Sequence, residues 1–293
     1  MEKSEAKRII KERFNSKVFG KYPDKDELSA LHKGALGHWF ESMLGSKIDS
    51  DGNADILGFE CKIDSTKTSW GDWGANYRIF ADETFGFKSS ITENMWDFVR
   101  YFGVLREDTI KGSYYSWSGT HVPTNLNDST VAGTTLSKKD GDILITYNID
   151  DDKRADKSLL LPKYLQKNNL VLMKWCGTNL SFANFKNDVI VNNRPIKVKF
   201  NGLNQSVSLE ARLKRKFNIN GMIIGLSDKK RGFYGLRFLK PVSLNDWLLF
   251  LENKDVFYDT ALTTLNKRPY NQWRSNKKFM LTLEDELYIP KSV

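Results

Sequence analysis

Residues 55–63 constrain the fold of this chain more than any other feature of its sequence. The odd-numbered residues from 57 to 63 are apolar, whereas Glu60 and Lys62 lie between them. Side chains two residues apart on a strand point to the same side, so this pattern predicts a strand with one apolar and one charged face. Such a strand borders a core, and we therefore expect a mixed α/β protein around it.

A helix is predicted shortly before this strand. Between residues 33 and 44, apolar side chains recur at three- and four-residue spacing, and the helix carries Glu41. Gly45 follows where a left-handed C-terminal cap belongs. Residues 49–53, Asp-Ser-Asp-Gly-Asn, then predict a turn that leads into the strand.

The rest of the chain alternates between predicted strands and helices. A basic helix is expected at the N terminus and a loop at residues 65–77. Further strands are predicted at residues 142–148, 170–175, 196–200, 221–226 and 233–239, and helices at 209–217 and 242–252. We expect an α/β fold with a mixed β-sheet flanked by helices. Residues 1–110 would form one lobe and residues 111–293 a second lobe. Two alternatives stay open: residues 111–205 as an insert in the second lobe, and one sheet shared by the two lobes.

The composition narrows the class of protein. The 293 residues carry a formal net charge of +9, which favours a nucleic-acid partner, although a merely basic surface gives the same charge. Two cysteines cannot form a disulfide framework and suit a reducing compartment. The N-terminal segment is charged, and no apolar run is long enough to span a bilayer. We therefore expect a cytoplasmic protein without a membrane partner.

The predicted strand carries the residues with the clearest chemical potential. Two carboxylates, Asp55 and Glu60, are able to bind a hard divalent cation. Lys62 is able to orient or help deprotonate an attacking water and to stabilise the developing negative charge. Asp55 lies five residues before Glu60, so an ideal strand would direct it to the opposite face. The hypothesis therefore requires a turn or a bulge near Gly58. The alternative is a solvated strand edge with an ordinary ion pair.

These residues resemble the PD-(D/E)xK nuclease motif. The surrounding sequence is similar to the MutH branch of that superfamily, which includes the restriction enzymes MvaI and BcnI. Residues 37–45, Gly-His-Trp-Phe-Glu-Ser-Met-Leu-Gly, resemble the Gly-x-x-x-Phe-Glu-x-x-Leu helix of this group. Residues 55–62, Asp-Ile-Leu-Gly-Phe-Glu-Cys-Lys, resemble its catalytic hairpin. The likeness extends more loosely over residues 209–285, and Ala54 stands where the family has proline.

The resemblance implies a restriction-endonuclease-like fold, with catalytic and recognition lobes around a DNA cleft. It also implies Mg²⁺-dependent hydrolysis of double-stranded DNA that leaves 5′-phosphate ends. Asp55 and Glu60 would hold the metal, Glu41 would support it as the accessory acidic residue, and Lys62 would assist the nucleophile.

A basic segment near the C terminus, residues 266–278, corresponds in position to the family's DNA-reading loop. Arginine and lysine suit guanine, and asparagine and glutamine suit adenine, so this segment predicts base reading in a major groove. The alternative is a basic loop that contacts phosphates without reading sequence. Arg268 and Arg274 are the first candidates for base contacts. The full set of candidate DNA-binding residues is Lys267, Arg268, Tyr270, Asn271, Gln272, Arg274, Lys277 and Lys278.

Three functions remain open at this point. The first is a type II restriction endonuclease, a monomer or homodimer with a cognate DNA methyltransferase as its genetic partner. The second is a nicking endonuclease of mismatch repair that depends on partner proteins. The third is a DNA-binding regulator whose charged residues are structural. No glycine-rich nucleotide loop is present, so ATP use is not expected.

Overall fold

The computed structural model describes residues 1–24, 34–46, 53–82, 85–87, 89–178, 189–191, 194–196, 208–267 and 270–291. The predicted turn residues 49–52, the predicted strand residues 197–200 and Arg268 lie outside this part of the chain. In the described ranges, no helix has both the length and the apolar character needed to cross a membrane.

The helices and strands alternate along the chain in mixed order. The helices are α1 (Lys3–Arg13), α2 (Ala35–Leu44), α3 (Ile91–Phe102), α4 (Lys157–Leu160), α5 (Leu209–Lys216), α6 (Leu244–Glu252) and α7 (Lys277–Thr282). The first eight strands are β1 (Phe59–Ile63), β2 (Lys67–Asp72), β3 (Tyr77–Arg78), β4 (Val104–Asp108), β5 (Gly112–Trp117), β6 (Ala132–Lys139), β7 (Asp142–Asp152) and β8 (Leu170–Trp175). The others are β9 (Val189–Val191), β10 (Arg194–Ile196), β11 (Gly221–Asp228), β12 (Gly232–Leu239), β13 (Val256–Thr260), β14 (Leu262–Thr263), β15 (Asn271–Asn276) and β16 (Glu284–Tyr288).

The chain divides into two compact units, each assembled from separate segments. The first unit comprises Met1–Thr68, Arg212–Trp247 and Ser275–Val293, and the second comprises Ser69–Ala211 and Leu248–Arg274. The sequence-based division cut the chain once, near residue 110, which lies inside the second unit. The roles of a catalytic and a recognition lobe stay a prediction.

The first unit is built on a mixed four-stranded sheet in the order β1-β11-β12-β16. Strand β1 runs parallel to β11, with Phe59 opposite Gly221 and Ile63 opposite Gly225, and the other neighbours are antiparallel. One face of β1 carries Phe59 and Cys61 into a core shared with α1 and α2. The predicted apolar face is thereby confirmed.

Helix α2 agrees with its prediction. Phe40 and Leu44 are buried in the core, and Gly45 follows with φ of 89°, where its N–H bonds to the carbonyl of Ser42. A left-handed residue at this position ends a helix, and glycine adopts that backbone without a steric penalty. Glu41 lies in the last turn and is therefore fixed in position by the packed face of the same helix.

The second unit consists mainly of antiparallel sheets. Its four-stranded sheet has the order β3-β8-β7-β6, and smaller sheets have the orders β14-β5-β4 and, largely within this unit, β13-β15-β2. Aromatic side chains fill its core: Trp175 and Tyr258 contact one another edge to face, and both pack on Trp273. The predicted strands at 142–148 and 170–175 are confirmed as β7 and β8.

Two predicted loops are wrong. Residues 65–77 contain β2 and the start of β3, and residues 266–278 contain β15 and the start of α7. In β2 every second residue, Thr68 and Trp70, is buried. In β15 the buried positions include the polar residues Asn271 and Ser275, which conceal the alternation in the sequence.

Candidate active site

The segment that precedes β1 folds back on it as a tight hairpin. Ile56 and Phe59 pair antiparallel, with the N–H of each donating to the carbonyl of the other at 3.0 and 2.8 Å. The two residues between them, Leu57 and Gly58, have φ of 48° and 81°. Positive φ at both central residues is typical of the type I′ turn, which joins strands by a two-residue loop.

This turn answers the question of side-chain direction raised by the sequence. Because Ile56 pairs with Phe59, Asp55 becomes the cross-strand neighbour of Glu60 despite the odd spacing between them. The Asp55 Oδ2 atom accepts a hydrogen bond of 2.7 Å from the N–H of Cys61. The required turn near Gly58 is therefore confirmed.

Glu60 is the most buried acidic side chain of the site, with 2% of its surface exposed. Lys62 donates a hydrogen bond to its Oε1, and Lys216 Nζ lies 3.1 and 3.2 Å from Oε1 and Oε2. Burial alone would raise the pKa of Glu60, but the two lysines outweigh it and hold the pKa below its ordinary value. A buried carboxylate with two cationic partners differs from the solvated strand edge that was the alternative interpretation.

Asp55 and Glu41 have the opposite electrostatic character. Burial and the charge of Glu60 raise the pKa of Asp55, against the lowering effect of Lys62. Burial and the charge of Asp55 likewise raise the pKa of Glu41. Burial, together with the neighbouring carboxylates, therefore disfavours the ionised forms of Glu41 and Asp55, and a bound cation would favour those forms.

The carboxylate oxygens of this site are donors of the kind that a hard divalent cation prefers. In the described part of the chain, no three carboxylate, histidine or cysteine side chains form a complete metal cluster. Magnesium is usually bound by one or two carboxylates, with waters and substrate phosphates completing its octahedron. For such an ion, Asp55 and Glu60 would be the two carboxylates. His38 lies 3.5 Å from Glu41 but is 54% exposed.

Lys216 is a site residue that the sequence interpretation missed. It lies at the end of α5, in the basic segment Arg-Leu-Lys-Arg-Lys at residues 212–216, which was predicted only as part of a helix. The lysine reaches Glu60 because α5 precedes β11, and β11 pairs with β1. No local pattern in the sequence reveals that pairing.

The C-terminal candidates for DNA binding are distributed over several environments. Gln272 and Arg274 share the partly exposed face of β15, where Arg274 Nε donates to Gln272 Oε1 at 2.7 Å and lies 3.3 Å from Asp259 Oδ2. Tyr270 is half-buried beside Arg274, with its hydroxyl oxygen 3.4 Å from an arginine nitrogen.

The neighbouring candidates differ in exposure. Asn271 is 1% exposed, and its amide oxygen accepts a hydrogen bond from the Tyr258 hydroxyl, which differs from the expected base contact. Lys267 and Lys278 are exposed, and Lys277 pairs with Asp64, directly after β1, at 2.6 Å. Arg268, the other first candidate, is outside the described residues.

Comparison with known proteins identifies the family. The LlaMI restriction endonuclease family matches residues 19–286. The chain is 29% identical over 275 residues to the type II restriction enzyme ScrFI of Lactococcus lactis subsp. cremoris, covering 92% of this chain and 94% of that enzyme. A solved complex of restriction endonuclease MvaI with its cognate DNA substrate matches with a TM-score of 0.51 at 10% identity, over 98% of this chain and 97% of that one.

The fold and the family together select one of the three functions left open by the sequence. The likeness to MvaI supports the predicted restriction-endonuclease-like fold. Type II restriction endonucleases generally use a divalent metal ion and bind DNA. The chain belongs to the LlaMI restriction endonuclease family and is a type II restriction endonuclease, a site-specific deoxyribonuclease.

Proposed function

We propose that this enzyme hydrolyses double-stranded DNA with Mg²⁺ held by Asp55 and Glu60, with Glu41 in support. The observation that carries the proposal is the Leu57-Gly58 hairpin, which makes Asp55 the neighbour of Glu60 across two antiparallel arms. The raised pKa of Asp55 also supports it, because burial and the charge of Glu60 disfavour the ionised carboxylate and a bound cation would favour it. When bound, a divalent ion lowers the pKa of a coordinated water and neutralises charge on the phosphate.

Lys62 serves this reaction as an ammonium ion. Burial alone would lower its pKa, but the charge of Glu60 and its hydrogen bond outweigh burial, and the pKa of Lys62 is raised. The charged form of the side chain is therefore favoured in this site, and in that form it orients the attacking water and stabilises the developing negative charge. Its location two residues from Glu60 on the same face of β1 supports this role.

For sequence recognition we propose the face of β15 that carries Gln272 and Arg274. Their hydrogen-bonded side chains present amide and guanidinium groups that suit adenine and guanine edges. Lys267, Lys277 and Lys278 suit phosphate contacts, and Tyr270 supports Arg274. The buried Asn271 is better assigned to holding the strand than to reading a base.

A restriction role also requires protection of the host's own DNA. We propose a cognate methyltransferase as the genetic partner, and a short target sequence whose methylated form resists cleavage. Whether one chain or two act on a site is decided by sedimentation of the enzyme bound to a duplex that contains the target.

The test is digestion of unmethylated plasmid DNA by metal-stripped enzyme during a Mg²⁺ titration. Wild type is expected to give discrete fragments, and Asp55→Asn, Glu60→Gln and Lys62→Met to lose cleavage by about a hundredfold or more. The far-ultraviolet circular dichroism spectrum, compared with that of wild type, checks that each variant is folded. The matched control is Glu12→Gln on α1, an acid whose side chain is 60% exposed.

Two outcomes would contradict the proposal. Undiminished cleavage by the Asp55 and Glu60 variants would show that these two residues do not hold the metal. Cleavage by wild type in excess chelator would remove the metal requirement itself.

A further inference from the structure

Asn220, immediately before β11, binds both carbonyl groups of the Leu57-Gly58 turn. Its side-chain Nδ2 donates to the carbonyl of Leu57 at 2.8 Å, and its backbone N–H donates to the carbonyl of Gly58 at 3.0 Å. The residue is 9% exposed. A side-chain amide and a backbone amide of one residue thus hold two consecutive carbonyls.

The turn needs such support because its sequence is unfavourable. A type I′ turn prefers Asn-Gly or Asp-Gly, whereas here leucine occupies the first left-handed position, with φ of 48°. Gly58 is also confined from outside: a Cβ there would lie 2.6 Å from Ile219 Cγ2 and 2.9 Å from Asn220 Nδ2. The contact with residues 219 and 220 therefore selects both the turn type and the glycine.

The two hydrogen bonds of Asn220 also fix the hairpin against the sheet. Asn220 directly precedes Gly221, which pairs with Phe59 at the start of the parallel β1–β11 ladder. The other arm of the hairpin, which carries Asp55, has two further single anchors. The N–H of Ala54 donates to the carbonyl of Arg215 at 3.1 Å, and Ser46 Oγ donates to the carbonyl of Asp55 at 2.7 Å.

We propose that Asn220 is a positioning residue that holds Asp55 opposite Glu60 by locking the turn between them. The inference rests on the proposed function, in which these two carboxylates bind the metal. Asn220 does not reach the reacting atoms; it acts through the hairpin. Loss of its side-chain donor would leave the turn able to relax towards other conformations and would lower the affinity of the site for a divalent cation.

The test compares Asn220→Asp with Asn218→Asp. The first variant keeps the shape of the side chain but replaces the donor with an oxygen that repels the Leu57 carbonyl. The second adds the same charge two residues away on an exposed side chain. Because an added negative charge by itself attracts cations, weaker metal binding in the first variant cannot be a charge effect. Asn220→Ala serves as a second test if Asn220→Asp does not fold.

Three quantities are measured on the enzyme. The first is the affinity for Mn²⁺, from the electron paramagnetic resonance signal of the free ion. The second is the Mg²⁺ concentration that gives half-maximal cleavage, and the third is the KM for target DNA. We expect Asn220→Asp to weaken Mn²⁺ binding and raise half-saturating Mg²⁺ by about tenfold. The KM for DNA at saturating metal should stay unchanged, and Asn218→Asp should behave as wild type.

The inference is overturned if folded Asn220→Asp and Asn220→Ala bind Mn²⁺ as wild type does, even with a lower melting temperature. Asp55→Asn, measured alongside, separates this result from failure of the proposed function. If Asp55→Asn loses Mn²⁺ binding and the Asn220 variants retain it, only the positioning role fails. If Asp55→Asn also retains it, the proposed metal site fails and the positioning role fails with it.

Discussion

Lys216 Nζ lies 3.1 and 3.2 Å from the two carboxylate oxygens of Glu60. Lys62 donates to one of the same oxygens, so a side chain that is 2% exposed has two ammonium partners. A buried charge is tolerated only where it is paired and hydrogen-bonded. Lys216 is therefore part of what keeps Glu60 ionised, and thus able to act as a ligand, at neutral pH.

Lys216→Met is expected to destabilise the metal-free enzyme by about 1–3 kcal/mol, because Glu60 loses one partner inside the protein. The lysines lower the pKa of Glu60, and a lowered pKa contributes stability above the unfolded value that is lost as pH falls. The cost should therefore be present at pH 7 and shrink below pH 4.5, the ordinary value for glutamate. Urea unfolding of wild type and Lys216→Met in chelator, at pH 7 and below pH 4.5, measures this loss of stability.

Calcium and a second lysine provide the controls for this experiment. Added Ca²⁺ should recover part of the stability lost in Lys216→Met, since the cation takes over the role of the missing ammonium group. Lys214→Met, on an exposed side chain of the same helix, should change stability little. Equal effects of the two substitutions at pH 7 would contradict a specific role for Lys216.

Asp55→Asn is expected to stabilise the metal-free enzyme while abolishing cleavage. Burial and Glu60 raise the pKa of Asp55, so the folded state is favoured by protonation and loses stability as pH rises above the ordinary value of 3.8. Asparagine removes that penalty and still offers an oxygen to the N–H of Cys61. A gain of about 1 kcal/mol corresponds to roughly 2–4 °C in melting temperature.

The measurement is thermal unfolding in chelator at several pH values, beginning at pH 7. The gain should disappear as pH approaches 3.8, where wild-type Asp55 becomes protonated in the unfolded chain as well. A lower melting temperature for Asp55→Asn at pH 7 would show that the carboxylate is satisfied without metal, contrary to our interpretation.

The ion pairs between α1 and β16 predict acid-sensitive stability. Lys7 Nζ lies 2.8 Å and Lys3 Nζ 2.9 Å from Asp285 Oδ2, and their hydrogen bonds lower the pKa of Asp285 to about 2. A lowered pKa gives stability that is present above the ordinary value of 3.8 and is lost as pH falls towards 2. Asp285→Asn should lower the free energy of unfolding by about 0.5–1 kcal/mol at pH 6, a small amount because these ion pairs are partly exposed.

Urea unfolding at pH 6 and near pH 2 checks this expectation, and 1 M salt at pH 6 should reduce the difference by screening. Glu12→Gln, on the exposed side of the same helix, is the control and should have a smaller effect. A cost of Asp285→Asn that is equally large near pH 2 would indicate lost packing rather than a lost ion pair.

Local patterns in the sequence predicted several elements whose apolar residues recur regularly, but not all of them, since α3 was not predicted although Met95, Phe98 and Phe102 form a regular buried face. Helix α2, strand β1 and its charged face, β7, β8 and the series from α5 to α6 were all predicted within a few residues. Each buries a regular apolar stripe, which is a signal that a single segment contains. The strands β2 and β15 were not predicted because most of their residues are polar, including some of the buried ones.

The parts of the site that the sequence did not predict are those that depend on contacts between distant segments. The turn at Leu57 was required by the hypothesis, but leucine gives no indication that it adopts a left-handed backbone. Lys216 and Asn220 approach the hairpin only because β11 pairs with β1, about 160 residues away along the chain. No periodicity near residue 60 reveals which distant segment supplies the neighbouring strand.

Arg274 and Lys278 are expected to affect DNA binding in different ways. Arg274 is oriented by Gln272 and Asp259 on one face of β15, an arrangement suited to a base edge, so Arg274→Ala should reduce discrimination at one position of the target by about 1–3 kcal/mol. Lys278 is exposed at the start of α7 and suits a phosphate. Lys278→Ala should weaken binding to all sequences alike and lower the salt slope by about one.

The target is first identified by sequencing the ends of digested DNA. Binding of the target and of singly substituted duplexes is then measured by fluorescence anisotropy in Ca²⁺ over a series of salt concentrations. If Arg274 reads a base, Arg274→Ala should weaken binding to the target more than it weakens binding to the duplex that is substituted at that base. If it weakens all duplexes equally and changes the salt slope as Lys278→Ala does, then Arg274 contacts a phosphate and the specificity of this enzyme lies elsewhere.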